Sequence, residues 1–304
     1  MAEGNRNNYY DWYLPSIAAA AIFIGIFTFL TLIHAWRLAA TRTWFCIPFI
    51  IGGLLEIGGY AGRLQGYSKP DNFTAFLIQA IFVLLAPLFY VASIYMFLGR
   101  IMLSTCPPST TVKYSHAIVR PTRLTKIFVG GDILCFGIQG AGGAIMAGSS
   151  TKSTVDLGNA IILAGLALQV VIFCFFVLVA VVWNRRVKNV ETAGGNVRNA
   201  WGKKGWGWER YLQMLYIVSG LVMFRNLFRL VEYAMGDDGY LMKQDWPIYI
   251  FDAVPMAFVL VLTPYWYVGD ITNGIAKKRK NESTDEFLMM VDDTEQGRGS
   301  SNRR

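Results

Sequence analysis

Three stretches of this chain contain no Asp, Glu, Lys or Arg: Ile17 to Ala35, Phe73 to Leu98 and Leu157 to Trp183. About 20 such residues, wound as a helix, cross the hydrocarbon core of a bilayer. A soluble domain can bury one helix of this kind, but here apolar runs separated by charged connectors recur along the whole chain. The composition agrees, because 54% hydrophobic and 16% charged residues leave too little polar surface for a water-soluble fold of 304 residues. The runs predict helices over residues 17–36, 45–65, 74–99, 124–147, 157–183, 210–235 and 248–268. The fold class is therefore all-α, a polytopic membrane protein with seven transmembrane helices. The first fifteen residues carry Asn, Tyr, Asp and Trp where a cleaved signal has a basic start, so the first run is expected to insert and stay.

Basic residues set the orientation. The connectors after helices one, three and five, the helix starts that follow them, and the tail after helix seven together hold twenty-one Lys and Arg. The N-terminus and the remaining connectors hold five, counting Arg63 at a helix end, together with seven acids from Glu3 to Asp245. The positive-inside rule then puts the N-terminus outside the cytosol and the C-terminus inside. Residues 1–14 become an extracytosolic segment, 15–270 the seven-helix domain, and 271–304 a cytosolic tail. That tail opens on Lys277-Lys-Arg-Lys280 and continues rich in Ser, Asp, Glu and Gly, a composition expected to stay disordered. Asn72-Phe-Thr74 is a glycosylation sequon on the predicted outer side. Topology accounts for the basic loops, so they require no nucleic-acid partner. Cys46, Cys106, Cys135 and Cys174 lie in or near helices or on the cytosolic side and imply no disulfide framework.

Beyond the first turn of each predicted helix, seven charged residues remain inside the membrane: Glu56, Arg63, Asp132, Arg225, Arg229, Glu232 and Asp252. Each costs on the order of 3 kcal/mol at the bilayer centre, so each is expected to face the bundle and find a partner. Arg225, Arg229 and Glu232 are spaced i, i+4, i+7 and share one face of helix six, as Glu56 and Arg63 share a face of helix two. Asp132 and Gln139 repeat the i, i+7 spacing on helix four. Depth along the helices puts three arginines opposite three carboxylates in or near the outer half. Two readings follow, a buried ion-pair network that fixes helix register and a polar cavity that takes the headgroup of an amphipathic ligand. Within either, Arg229 is expected to pair with Glu232 or Asp252, and Arg225 with Glu56. Gly58-Gly-Tyr-Ala-Gly62 and Gly137-Ile-Gln-Gly-Ala-Gly-Gly143 are expected to let neighbouring backbones approach, and Pro87 and Pro255 to bend their helices.

Several chemistries lack their residues. With His34 and His116 the only histidines, no three-histidine metal site and no H-E-x-x-H motif can be built, and no metal or other cofactor is expected. Gly148-Ser-Ser-Thr-Lys-Ser-Thr lacks the glycine that a phosphate loop needs before its lysine. The chain is not expected to be an enzyme.

The motifs Glu56-Ile-Gly-Gly-Tyr-Ala-Gly-Arg63, Leu85-Ala-Pro-Leu-Phe-Tyr-Val-Ala-Ser-Ile-Tyr-Met96, Asp132 with Gln139-Gly-Ala-Gly-Gly143, Gly165-Leu-Ala-Leu-Gln169, Arg225-Asn-Leu-Phe-Arg-Leu-Val-Glu232 and Tyr249-Ile-Phe-Asp252 occur in this order. Together they resemble the fungal lipid-translocating exporter family, also called RTA-like, over about Tyr13 to Asp270. The chain departs from that pattern at Gln244-Asp245-Trp246, where the family usually has His-Glu, and at Thr263-Pro264, where it usually has His-Pro. The resemblance implies a seven-helix protein of the plasma membrane or an internal membrane. Its implied role is to move, export or confer resistance to amphipathic molecules, including sphingoid long-chain bases and aminosterols. The shared polar positions are Glu56, Arg63, Gln79, Asp132, Gln139, Gln169, Arg225, Arg229, Glu232 and Asp252, with no catalytic role attached. The expected function is thus a lipid-translocating exporter whose partners are the membrane and a lipid or amphipathic small molecule. In it Glu56, Glu232 and Asp252 would meet an amine. The alternative is a seven-helix lipid or stress receptor that regulates lipid asymmetry without transporting.

Overall fold

The computed structural model describes residues 16–68, 73–105, 119–148, 151–192, 208–236 and 244–266. Asn72, Cys106, His116, the N-terminal segment 1–14 and the tail 271–304 lie outside the described residues. The elements are α1 (Ile17–Thr41), α2 (Ile47–Ser68), α3 (Phe73–Thr105), α4 (Pro121–Ala147), α5 (Lys152–Thr192), α6 (Trp208–Ala234) and α7 (Val254–Leu262). A short 3-10 turn, Trp44–Cys46, precedes α2; a π turn, Ile248–Ala253, leads into α7, and a 3-10 turn, Thr263–Trp266, ends it. Among the described residues, seven helical spans are long and apolar enough to cross a membrane, the seventh being Ile248–Trp266 with its flanking turns, and the chain is an integral membrane protein.

The predicted spans are recovered, and most run on past the apolar stretch. α5 is the extreme case: its 41 residues make a rod of about 61 Å, twice the hydrocarbon thickness. Once the hydrocarbon is crossed, intrahelical hydrogen bonds still satisfy the backbone, so polar residues such as Asn184, Arg185 and Arg186 continue the helix. α1 starts at Ser16, whose hydroxyl accepts from the Ala19 N–H, and stops at Arg42, which adopts the left-handed conformation (φ 52°) and donates its N–H to the Leu38 carbonyl.

Packing runs around a ring, each helix against the next in sequence and α1 against α7, with α3 also reaching α6 across the middle. α3 is the central helix: Ala86, Tyr90, Ile94, Tyr95, Phe97, Leu98, Ile101 and Met102 are all fully buried. Phe29, Leu32, Trp36, Leu134, Val171 and Phe258, by contrast, are more than half exposed and face the lipid side. Glycines set the closeness of α2. A Cβ on Gly59 would lie 2.6 Å from Val83 Cγ2, and one on Gly52 would lie 2.4 Å or more from the Tyr90 ring, both on α3, whereas one on Gly53 would collide with Thr31 Oγ1 on α1. On α4 the expectation for the glycine run holds only in part. Gly142 lies against Gly158 and Ile162 of α5, but Gly137, Gly140 and Gly143 have nothing within 4 Å of an added Cβ.

At the end where α1 and α7 stop, a proline creates the tie between them. Pro264 has no N–H, which leaves the Leu260 carbonyl, four residues back, without its helical donor. His34 of α1, fully buried, supplies one: its Nε2 lies 2.9 Å from that carbonyl and, since a carbonyl only accepts, carries the proton. Arg37, one turn on, donates twice to the Pro264 carbonyl, at 3.0 and 3.3 Å. Trp266 stacks on Phe97 with ring centroids 4.2 Å apart and closes the core beneath.

The two classes of glycine give opposite expectations. Gly59→Ala should destabilise the protein by about 1–3 kcal/mol through overpacking against α3. Gly137→Ala, in open space, should be neutral or stabilising by about 0.5–1 kcal/mol. Thermal unfolding of both variants in detergent checks the pair, and equal losses would contradict the packing described.

Candidate functional site

Six of the seven charges that sequence places inside the membrane gather at the end of the bundle where α1 and α7 begin and α2 and α6 end, and Asp132 stands apart. Helix periodicity brings Arg225, Arg229 and Glu232 to one face of α6, and the π turn before α7 aims Asp252 back at that face. Asp252 holds both arginines. Arg225 Nε donates to its Oδ1 at 2.5 Å and Arg229 Nη2 to its Oδ2 at 2.6 Å. Arg229 Nη1 also donates to Glu232 Oε2 at 2.9 Å, one turn along the same helix. Arg63 of α2 pairs with Asp245 at the start of the α7 segment, and its Nε donates to the Tyr249 hydroxyl at 3.1 Å, with the guanidinium 5.3 Å from that ring. Asp245 in turn accepts the backbone N–H of Ser16 at 2.8 Å, so the cap of α1 joins the network.

Arg225 does more than pair. Its Nη2 donates at 3.0 Å to the carbonyl of Val83 on α3. Pro87 lies four residues beyond Val83 and has no N–H, so this carbonyl has lost its helical donor inside the membrane, where no water replaces it. The guanidinium restores the bond. The proline expected to bend α3 thus creates the acceptor that fixes α6 against it. Gly59 makes room for the approach on the other side, since its backbone lies against Val83.

One expected pair is absent. Arg225 engages Asp252 and Val83 instead of Glu56, because the π turn brings a carboxylate from the adjacent helix closer to the guanidinium than α2 does. Glu56, 2% exposed, forms no ion pair among the described residues, and its Oε2 has no hydrogen-bond partner. It nevertheless lies in the field of Asp252, Arg225 and Arg229. The hydroxyls of Tyr60 and Tyr90, both buried, also lack partners. With Asp245 included, three arginines therefore meet four carboxylates, where the sequence suggested three and three. Glu232 and Asp252 are occupied by arginine, so the carboxyl oxygen of the cluster left without a partner is on Glu56. The cluster is closed in this conformation, for Glu56, Arg63, Arg225, Glu232 and Asp252 are each at most 3% exposed. Phe23, Tyr60 and Tyr249 stack over it, with centroids 5.5 to 6.0 Å apart.

Asp132 and Gln139 are not part of this cluster. Asp132 accepts the Tyr95 hydroxyl of α3 at 2.9 Å, and Gln139 donates to Gln169 of α5 at 2.9 Å. Each satisfies a buried polar group across one helix interface. Asp245, Tyr249 and Val83 are members that the sequence reading did not assign. The Asp245 role follows from the close approach of chain ends, while the Val83 carbonyl had a visible signal in Pro87.

Arg225→Met should cost about 3–5 kcal/mol, since it strips one partner from buried Asp252 and orphans the Val83 carbonyl. Pro87→Ala returns an N–H to that carbonyl and should recover part of the loss in the Arg225→Met background, though not in the wild type. Thermal stabilities of the four proteins form the cycle, and strict additivity would mean that Arg225 and Pro87 are not coupled.

Comparison with known proteins places this arrangement. The chain is 30% identical to protoporphyrin uptake protein 1 of Saccharomyces cerevisiae, over 82% of this chain and 88% of that protein. It is 28% identical to the sphingoid long-chain base transporter RSB1 of the same species, over 88% of this chain and 75% of that one. With protein RTA1 it shares 33% identity over 71% of this chain and 63% of that protein. No solved structure matches. The family described as RTA1 like protein matches residues 49–275, which include every member of the charge cluster from Glu56 to Asp252, and the chain belongs to that family.

Proposed function

We propose that this protein moves an amphipathic molecule across its membrane, with a cationic headgroup docking at Glu56 while the apolar body stays in lipid and no covalent step takes place. The observation that carries this reading is the unpartnered carboxyl oxygen of Glu56, buried in a cluster whose arginines are otherwise engaged. A buried polar group without a hydrogen bond is costly to keep, and intramembrane ionisable residues mark substrate paths. A purely structural ion-pair network has no use for an acid left over. The relatives support transport as the class, one being named for protoporphyrin uptake and another for sphingoid long-chain base transport. Closure of the cluster then represents the occluded or resting state, and access requires α2 to part from α6 and α7. The distribution of basic residues over the connectors supports an extracytosolic docking end, in the plasma membrane or an internal membrane.

Glu56→Gln keeps the shape and removes no hydrogen bond of Oε2, so it should leave abundance and thermal stability near wild type while abolishing movement of a fluorescent long-chain amine across liposomes. Asp252→Asn should instead lower stability, because it weakens two arginine pairs at once. Undiminished transport by Glu56→Gln would sink the docking role.

A further inference from the structure

Glu56 is surrounded on every side by groups that leave it alone. From α1 the facing run Ile17 to Ala35 contains no Asp, Glu, Lys or Arg, and its His34 is bonded to Leu260 at the far end. The titratable groups packed near it are Tyr90 on α3 and, on its own helix, Tyr60 one turn on and Arg63 two turns on, the latter paired with Asp245. From α6 and the π turn come Arg225, Arg229 and Asp252, which bond one another. An ionised carboxylate held so, buried and without a hydrogen bond on Oε2, pays a desolvation penalty that a neutral acid avoids. With Glu56 neutral, three arginines balance Asp245, Asp252 and Glu232.

Three buried oxygens without hydrogen-bond partners lie along one stretch of the α2–α3 contact: Glu56 Oε2, Tyr60 Oη one turn on along α2, and Tyr90 Oη, whose ring packs against Gly52 one turn before Glu56. A primary ammonium has three N–H donors, and these oxygens can accept them. We propose that Glu56 is a proton–ammonium exchange site: it carries a proton when empty and gives it up when the primary ammonium of a long-chain amine docks against Glu56, Tyr60 and Tyr90. The balance is simple. The O–H bond of the Glu56 acid breaks, its proton passes to water, and the ammonium forms N–H···O bonds to the carboxylate and the two hydroxyls. One positive charge enters as one leaves, so the buried net charge is unchanged. This rests on the reading that headgroups reach the cluster, and it adds the ion that moves in the opposite direction.

The test uses the full-length protein in nanodiscs with dodecylamine as probe. A pH-indicator dye should report about one proton released per amine bound by wild type and none by Glu56→Gln, the signature of linked binding. A dodecyltrimethylammonium probe, which has no N–H donors, should bind at least about ten-fold more weakly. A measurement free of any variant is labelling by dicyclohexylcarbodiimide, which attacks protonated carboxyls in apolar surroundings. Glu56 should be modified, as read by mass spectrometry, and dodecylamine should protect it. Binding without proton release, equal release from Glu56→Gln, no saturable binding, or labelling that the amine does not affect would each overturn the exchange. Amine movement across liposomes is scored separately. Movement without proton release removes the exchange and keeps the translocator, whereas release and protection without movement do the reverse.

Discussion

The guanidinium of Arg225 joins three helices through two acceptors, the Asp252 carboxylate and the Val83 carbonyl. The second exists because Pro87 cannot donate to it. Inside a bilayer a carbonyl without a donor has no water to turn to, so a proline in a spanning helix obliges some other element to supply the bond. That obligation sets the distance of α6 from α3. The Asp252 bond then sets the position of the π turn, and Arg229 holds the same carboxylate from one turn away. The opposite end repeats the device, with Pro264 freeing Leu260 and His34 of α1 replacing the missing donor. Two prolines thus determine where two pairs of helices are pinned, and both pins use side chains that would otherwise be expensive to bury.

Buried ion pairs contribute little net stability, since desolvation offsets much of their attraction, yet they are strict about geometry. In this bundle strictness leaves one acid over. Every arginine of the cluster has a carboxylate at bonding distance or shorter, and Asp252 serves two of them, so Glu56 remains beside the network without belonging to it. Tyr60 and Tyr90 also keep their hydroxyls without hydrogen-bond partners. Phe23, Tyr60 and Tyr249 stack on one another beside them.

Away from the cluster, two polar residues of α4 find partners on neighbouring helices. Asp132 and Gln139, which share a face of α4 in sequence, turn out to serve two separate contacts, with Tyr95 of α3 and Gln169 of α5. A helix face wide enough to touch two neighbours divides its residues between them. The same division explains the glycines of α4, where Gly142 meets α5 while Gly137, Gly140 and Gly143 look onto open space.

The sequence by itself determined the number of spanning helices, because hydropathy and length are properties of one segment at a time and need no neighbour. It also determined which charges are buried and which of them share a helix face, since Arg225, Arg229 and Glu232 are bound to one face by the helical period alone. It gave no means of telling that Arg225 reaches Asp252 and Val83, or that Asp245 closes on Arg63 across 182 positions of chain. Those partners depend on the π turn before α7, on the close approach of α2 to α3 at Gly59, and on where the start of α1 meets the start of the α7 segment. Each is a distance between helices, set by packing and by the demand that every backbone carbonyl in the membrane find a donor. For that reason tertiary structure alone decided that Glu56 is the acid left without a partner.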